Sequence, residues 1–287
     1  MQPLLEYRET FGGYSTRVLE LEGDGPPLVF LHGYADSADT WRLVLADLAR
    51  RGQRAVAVDM PGFGDAASLT PGRPVLVQHD EFVDGVVASL GPGAVLVGNS
   101  LGGCAVIRAA QRPGLGLCGV VPIGPAGLGL APWLDVIETN PVVRSLLLAP
   151  APLPRPLVQA VVGRVYRTIA FAPGASVDPL VVRTFASHFR DTATVRRYLD
   201  TARRVFAELH DPFDFARVCV PVLLVWGRRD AMVPVRGSAR LLEAVPGARL
   251  EMLDACGHCP QIEDAGRLVE LVLGFGAEVA QGAASGR

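Results

Sequence analysis

The 287-residue chain contains no lysine, so all 27 of its basic side chains are arginine. That absence excludes Schiff-base chemistry, the anchoring of pyridoxal phosphate and a phosphate loop that depends on lysine. A cationic excess is missing as well. With 29 acidic residues the formal net charge is -2 and no basic run stands out, so the chain lacks the electrostatic footprint of a nucleic-acid binder. Long apolar runs are absent too. The most hydrophobic stretch, residues 118–134, is interrupted by Gly and Pro and predicts no membrane span. The opening residues MQPLLEYRET carry charges early and lead into no cleavage site, so no secretory signal is expected. The five cysteines are an odd number without an export signal, which points to free thiols and a cytoplasmic location.

What is present is an ordinary globular composition, 49% hydrophobic and 20% charged, able to bury a sizeable core. Short β-branched runs alternate with helical patterns. PPLVFLHG (26–33), RAVAVDMPGFG (54–64), GAVLVGNS (93–100) and LCGVVPIG (117–124) read as buried strands, each bounded by Gly or a Pro/Gly turn. Between them Trp41, Val44, Leu45 and Leu48, then Val83, Val86, Val87 and Leu90, mark amphipathic helices. LGGCAVIRAAQR reads as a third. From about 126 to 215 the strand signals stop and several short helices are expected. CVPVLLVWGRRD (219–230) and ARLEMLDA (248–255) resume the alternation, and Leu268, Leu271, Val272 and Phe275 share one face of a last helix. QGAASGR is expected to be a loose tail. This pattern predicts an α/β fold: a mostly parallel central sheet flanked by helices, its core formed by 1–125 and 216–287, with an inserted helical cap over 126–215.

The third strand runs into Gly98-Asn99-Ser100-Leu101-Gly102-Gly103. A sharp strand-to-helix turn would hold Ser100 in a strained conformation with its hydroxyl exposed, and glycine would be needed at 98 and 102 to avoid collision. The helix that follows would direct its N-terminal amides at charge developing there. Ser100 could also be a plain helix N-cap. A serine nucleophile requires a base and a group to orient that base. Asp230 closes the strand VPVLLVWGRRD, and His258 follows the strand ARLEMLDA, giving the order Ser…Asp…His. The other histidines, His32, His79, His188 and His210, lie at an earlier strand end or in helical segments. Candidate oxyanion donors are the backbone N–H groups of Leu101 and of Tyr34, the latter reached through a bend at Gly33.

LHGYADSADTW, DMPGFG, GNSLGG, VWGRRDAMVP and GHCPQIE together resemble the successive signature stretches of the α/β-hydrolase superfamily, in its order and spacing. The resemblance implies Ser100 as nucleophile, His258 as base, Asp230 as orienting acid, and Tyr34 and Leu101 as oxyanion donors. It requires no cofactor and no metal. Serine at the elbow sets the chain apart from the dehalogenases and epoxide hydrolases of this fold, which use aspartate there. GNSLGG and CGHCPQIED are also similar to stretches of the meta-cleavage product hydrolases, which split carbon–carbon bonds. That family carries a G-x-G-P-G-A turn after the first His-Gly, where this chain reads Tyr-Ala-Asp-Ser.

The expected activity is therefore hydrolysis of a carboxylic ester. Carbon–carbon hydrolysis and cofactor-free haloperoxidase activity are alternatives, and a hydrolase-fold ligand receptor is the non-enzymatic one. Cys256-Gly257-His258-Cys259 also fits a dithiol redox motif, but a thioredoxin-type pair belongs early in a small fold. Both cysteines, and Cys104, are expected to pack as small soft residues. The composition of the cap suggests an apolar acyl or alkyl pocket with Trp133, Phe171 and Phe185 near it. Arg144 and Arg167 are candidate contacts for a substrate carboxylate or plain ion-paired surface groups. The partner expected is a small-molecule substrate; the sequence does not set the oligomeric state.

Overall fold

The computed structural model describes residues 2–129 and 154–285. Trp133 and Arg144 lie outside the described residues, as does the part of the expected cap from 130 to 153. The chain opens with two strands that the strand reading above does not contain, β1 (Leu5–Phe11) and β2 (Tyr14–Leu21). They pair antiparallel around Gly12-Gly13, both at positive φ, 56° and 87°. A two-residue turn with both residues left-handed matches the twist of a hairpin, and glycine adopts it without steric cost.

β3 (Asp24–Leu31), β4 (Gln53–Val58), β5 (Val95–Asn99), β6 (Gly119–Ile123), β7 (Leu223–Gly227) and β8 (Arg249–Leu253) complete one sheet, ordered β1-β2-β4-β3-β5-β6-β7-β8. Every pairing from β4 to β8 is parallel, and β2 meets β4 antiparallel. Helices α1 (Arg42–Arg51), α2 (Val75–Leu90) and α3 (Leu101–Ala110) follow β3, β4 and β5. Between β6 and β7 stand α4 (Arg155–Ala170), α5 (Pro179–Ser187) and α6 (Thr192–Glu208). α7 (Ser238–Ala244), the single-turn α8 (Pro260–Glu263) and α9 (Ala265–Ser285) complete the chain. The expected loose tail is helical through Ser285, because its alanines are strong helix formers that simply extend α9.

The central strands are apolar on both faces because both faces are covered. Along β3, Val29 and Leu31 join the core layer that includes residues of α2 and α3, while Leu28 and Phe30 join the layer of α1 and α9. β7 divides the same way, with Leu224 and Trp226 on one side and Leu223 and Val225 on the other. The two-residue period of a strand thus builds two cores from one continuous apolar run. The parallel pairing brings the carboxyl ends of β3, β5, β7 and β8 to one edge, the place where a parallel sheet of this kind holds its ligands.

Candidate active site

Ser100 joins β5 to α3 with φ 55° and ψ −111°, one of two non-glycine residues at positive φ among those described. Backbone held in so sparsely populated a region costs on the order of 1–3 kcal/mol and persists only where its surroundings enforce it. The surroundings here are tight. A Cβ on Gly98 would fall 2.2 Å from the carbonyl oxygen of Gly102, and one on Gly102 would fall 2.2 Å from that of Leu31. Ser100 itself is only partly buried. The Leu101 amide belongs to the first turn of α3, where N–H groups have no carbonyl within the helix to bond.

After β3, Gly33 packs against the elbow: a Cβ there would lie 3.3 Å from the Ser100 Cβ. The turn opens at Gly33, whose carbonyl accepts the Asp36 N–H at 3.4 Å. The left-handed residue of this turn is Ala35, φ 58°, two positions beyond Gly33. His32 is fully buried, and its Nε2 accepts the Met60 N–H at 2.8 Å, so the ring is neutral with Nδ1–H directed at the Gly33 carbonyl at 2.7 Å. Burial lowers its pKa to about 4, which makes His32 a brace between loops and unsuited to proton transfer near neutral pH.

β7 is shorter than its apolar run, because Pro221 cannot donate to the ladder and pairing ends at Gly227. Asp230 therefore lies in the turn beyond the strand. Its Oδ1 accepts the Met232 and Val233 amides at 2.8 and 2.9 Å, which leaves Oδ2 for His258 Nδ1 at 2.7 Å. Both side chains are almost wholly buried, 1% and 4% exposed. His258 Nε2 is buried and, among the described residues, has no hydrogen-bond partner. The segment 123–126 touches all three candidates. Ile123 accepts the Ser100 N–H at 2.9 Å, and Ala126 donates to the Ser100 carbonyl at 3.0 Å. Between them, a Cβ on Gly124 would lie 3.0 Å from Asp230 Oδ2 and 3.2 Å from His258 Nδ1. Neighbouring Asn99 donates Nδ2–H to the His258 carbonyl at 2.9 Å.

Four supporting residues escaped the sequence reading. Glu263 Oε1 accepts the Gly257 amide at 2.8 Å and the Cys259 amide at 3.4 Å, while Oε2 accepts that of Ala172 at 2.8 Å. The His258 N–H also donates to the Ala170 carbonyl at 2.8 Å, so the histidine loop is clamped to the end of α4. Burial raises the Glu263 carboxyl above its usual range, against the pull of those amides. Glu263→Ala should cost about 2–4 kcal/mol in denaturant unfolding, since it leaves two or three amides without a partner, and Glu263→Gln should cost less.

Gln261 Nε2 donates to Thr40 Oγ1 and Asn99 Oδ1 at 3.3 and 3.2 Å, and Thr40 in turn bonds the carboxyl of Asp36. Asp36 is buried and its pKa is raised to about 7, chiefly by desolvation. An acid whose pKa rises on folding weakens the fold as pH climbs from the unfolded to the folded value, here from about 4 to about 7. Asp36→Asn should therefore match the parent near pH 4 and gain stability progressively above it. A pKa raised that far sets a ceiling of about 4 kcal/mol on the gain, reached by about pH 8. Unfolding curves across that pH range check it.

The remaining residues fall mostly where a packing role puts them. Phe185 stacks on Tyr166 with ring centroids 3.7 Å apart, and Phe171 meets the same ring at 5.1 Å. Phe185 thus ties α5 to α4, while Phe171, the C-cap of α4, folds back on its own helix. Arg167 is exposed. Cys104, Cys256 and Cys259 are free and buried, and burial raises all three thiols, so none is poised as a thiolate. The Tyr34 hydroxyl donates to the Tyr198 carbonyl and so joins the turn after β3 to α6.

The sequence matches the profile of the alpha/beta hydrolase family over residues 28–271. The chain belongs to that family. This α/β hydrolase is 28% identical to a 2-hydroxy-6-oxo-6-(2'-aminophenyl)hexa-2,4-dienoic acid hydrolase of Metapseudomonas resinovorans, over 92% of this chain and 88% of that protein. It is 32% identical to an esterase of Mycobacterium tuberculosis, over 95% and 89% of the two chains. Among solved structures, a serine hydrolase involved in carbazole degradation superposes with a TM-score of 0.75 at 23% identity, covering 95% of this chain and 98% of that one. The protein is thus an enzyme of the hydrolase class with the mostly parallel sheet of that family.

Proposed function

We propose that the protein hydrolyses a carboxylic ester through an acyl-enzyme on Ser100, with His258 as general base and Asp230 as its orienting acid. The observation that carries this reading is the asymmetry of His258. Nδ1 is fixed to Asp230 at 2.7 Å, while Nε2 has no partner among the described residues. Asp230, acceptor only, keeps the proton on Nδ1 and so leaves a lone pair on Nε2. That nitrogen takes the Ser100 proton as the oxygen attacks the ester carbonyl, and the Tyr34 and Leu101 amides receive the oxyanion. The imidazolium then protonates the departing alcohol. Water, deprotonated by the same nitrogen, releases the acid and restores the serine.

The substrate carries an apolar acyl or alkyl part, and the reaction uses neither metal nor organic cofactor. Dialysis against EDTA should leave turnover unchanged. A cytoplasmic enzyme acting on a small soluble ester is the setting this reading supposes.

Cleavage of a carbon–carbon bond is a second reading, favoured by the similarity to the Metapseudomonas resinovorans hydrolase. Steady-state assays on p-nitrophenyl esters of increasing acyl length, beside a 2-hydroxy-6-oxo-dienoate, separate the two. Ester turnover with the dienoate unchanged is expected. Rapid loss of the dienoate chromophore, with the esters untouched, would replace the first reading by the second.

A further inference from the structure

α4 buries Val158, Gly163, Tyr166 and Ala170 on one face. Its opposite face exposes Leu157, Val161 and Val165, each about half open to solvent at 49%, 54% and 51%. Spaced i, i+4 and i+8, the three form one apolar stripe along the helix. Leu180, in the first turn of α5, is 58% exposed. Eight large hydrophobic side chains are exposed among the described residues and four of them are these, so the apolar surface is concentrated on one helix pair. Scattered exposure would need no explanation; a stripe does.

The charge of these helices runs against that of the whole chain. α4 and α5 carry Arg155, Arg164, Arg167 and Arg183, all exposed, and neither helix contains an Asp or a Glu. The protein as a whole has a net charge of -2. Arg164 falls three residues after Val161 and seven after Leu157, on the flank of the stripe, and Arg183 stands three after Leu180. An arginine beside exposed aliphatic side chains can lay its stem along them while its guanidinium reaches a neighbouring anion.

We propose that this face docks the protein on an anionic lipid surface, with the aliphatic stripe at the headgroup boundary and the arginines against lipid phosphates. On α4 an apolar stripe and basic flanks stand without an acid, the combination of an interfacial helix, and the exposed Asp178 beside Leu180 is engaged as the N-cap of α5, accepting the Leu180 N–H. Charge disfavours a second copy of the chain as the occupant, since a two-fold contact here would set arginine against arginine. No helix among the described residues is long and apolar enough to cross a membrane, and the attachment proposed is peripheral. The same helix abuts the candidate catalytic loop: the Ala170 carbonyl accepts the His258 N–H at 2.8 Å, and the Ala172 amide donates to Glu263 at 2.8 Å. Docking through α4 sets the lipid against the element that holds that loop. The inference concerns binding alone and stands apart from the ester reading.

Co-sedimentation with mixed phosphatidylcholine–phosphatidylglycerol vesicles, beside pure phosphatidylcholine vesicles, tests it. The wild type should bind the anionic vesicles at low salt at least about tenfold more tightly than the neutral ones. Val161→Glu with Val165→Glu should lower that binding by at least about tenfold while leaving circular dichroism and thermal unfolding intact, and Arg164→Ser with Arg183→Ser should weaken it several-fold. Folded wild type that stays in the supernatant would overturn the proposal, as would undiminished binding by the glutamate pair. A dimer in light scattering that Val161→Glu dissolves, without vesicle binding, would assign the face to a second copy instead.

Discussion

Ser100→Ala is expected to lower ester turnover by on the order of 10⁴- to 10⁶-fold while KM and thermal unfolding stay near the parent values. The size of the effect follows from what is lost. In the proposed mechanism no acyl-enzyme forms without the hydroxyl, and the residual rate is what binding and the proposed backbone donors supply. Alanine tolerates the elbow about as well as serine does, because the position is left-handed at φ 55° for either residue and the tight contacts involve Gly98 and Gly102. The side chain at 100 is only partly buried, so little packing goes with it. A fall in rate with unchanged unfolding therefore reads chemistry alone. Comparison of kcat with circular dichroism on the same preparations checks both halves.

Asp230→Asn should cost on the order of 10⁴-fold, through a change of tautomer rather than of shape. Asp230 Oδ1 receives the Met232 and Val233 amides at 2.8 and 2.9 Å, and an asparagine must present its carbonyl oxygen to those two donors. Its NH₂ then faces His258 Nδ1, where the carboxylate oxygen stood at 2.7 Å. Nδ1 becomes the acceptor, the ring proton moves to Nε2, and the nitrogen that should take the serine proton no longer can. The proposed mechanism makes both residues parts of one unit, so the double variant Ser100→Ala/Asp230→Asn should be scarcely slower than Ser100→Ala, a non-additivity that independent roles would not produce. Steady-state rates of the three variants, with thermal unfolding as the control, decide it.

The alternation of apolar runs and helical patterns was legible from β3 onward because each run is bounded by glycine or proline and long enough to show its period. The β1–β2 hairpin was not read, although Gly12-Gly13 between alternating strands signals such a turn. β1 is exposed along nearly its whole length and carries no apolar run, so hydrophobicity alone passes over it. At the site, Ser100, Asp230 and His258 stood out because each follows an apolar strand. The turn that opens at Gly33 takes its left-handed residue at Ala35, since composition says where glycine may turn and tertiary contact decides which residue adopts the left-handed conformation. Glu263, Gln261, Thr40 and Asp36 act through backbone amides and buried hydrogen bonds between segments distant in sequence, and no local pattern encodes such pairings. Glu263 joins residues 172 and 257 in this way, and Gln261 joins residues 40 and 99.

The most direct test of the central claim is mass spectrometry of the intact protein and its peptides after exposure to a fluorophosphonate. The account predicts one adduct per chain, mapped to Ser100 and absent from Ser100→Ala. Folded protein that takes up no label, or takes it at another residue, would contradict an activated serine at the turn between β5 and α3.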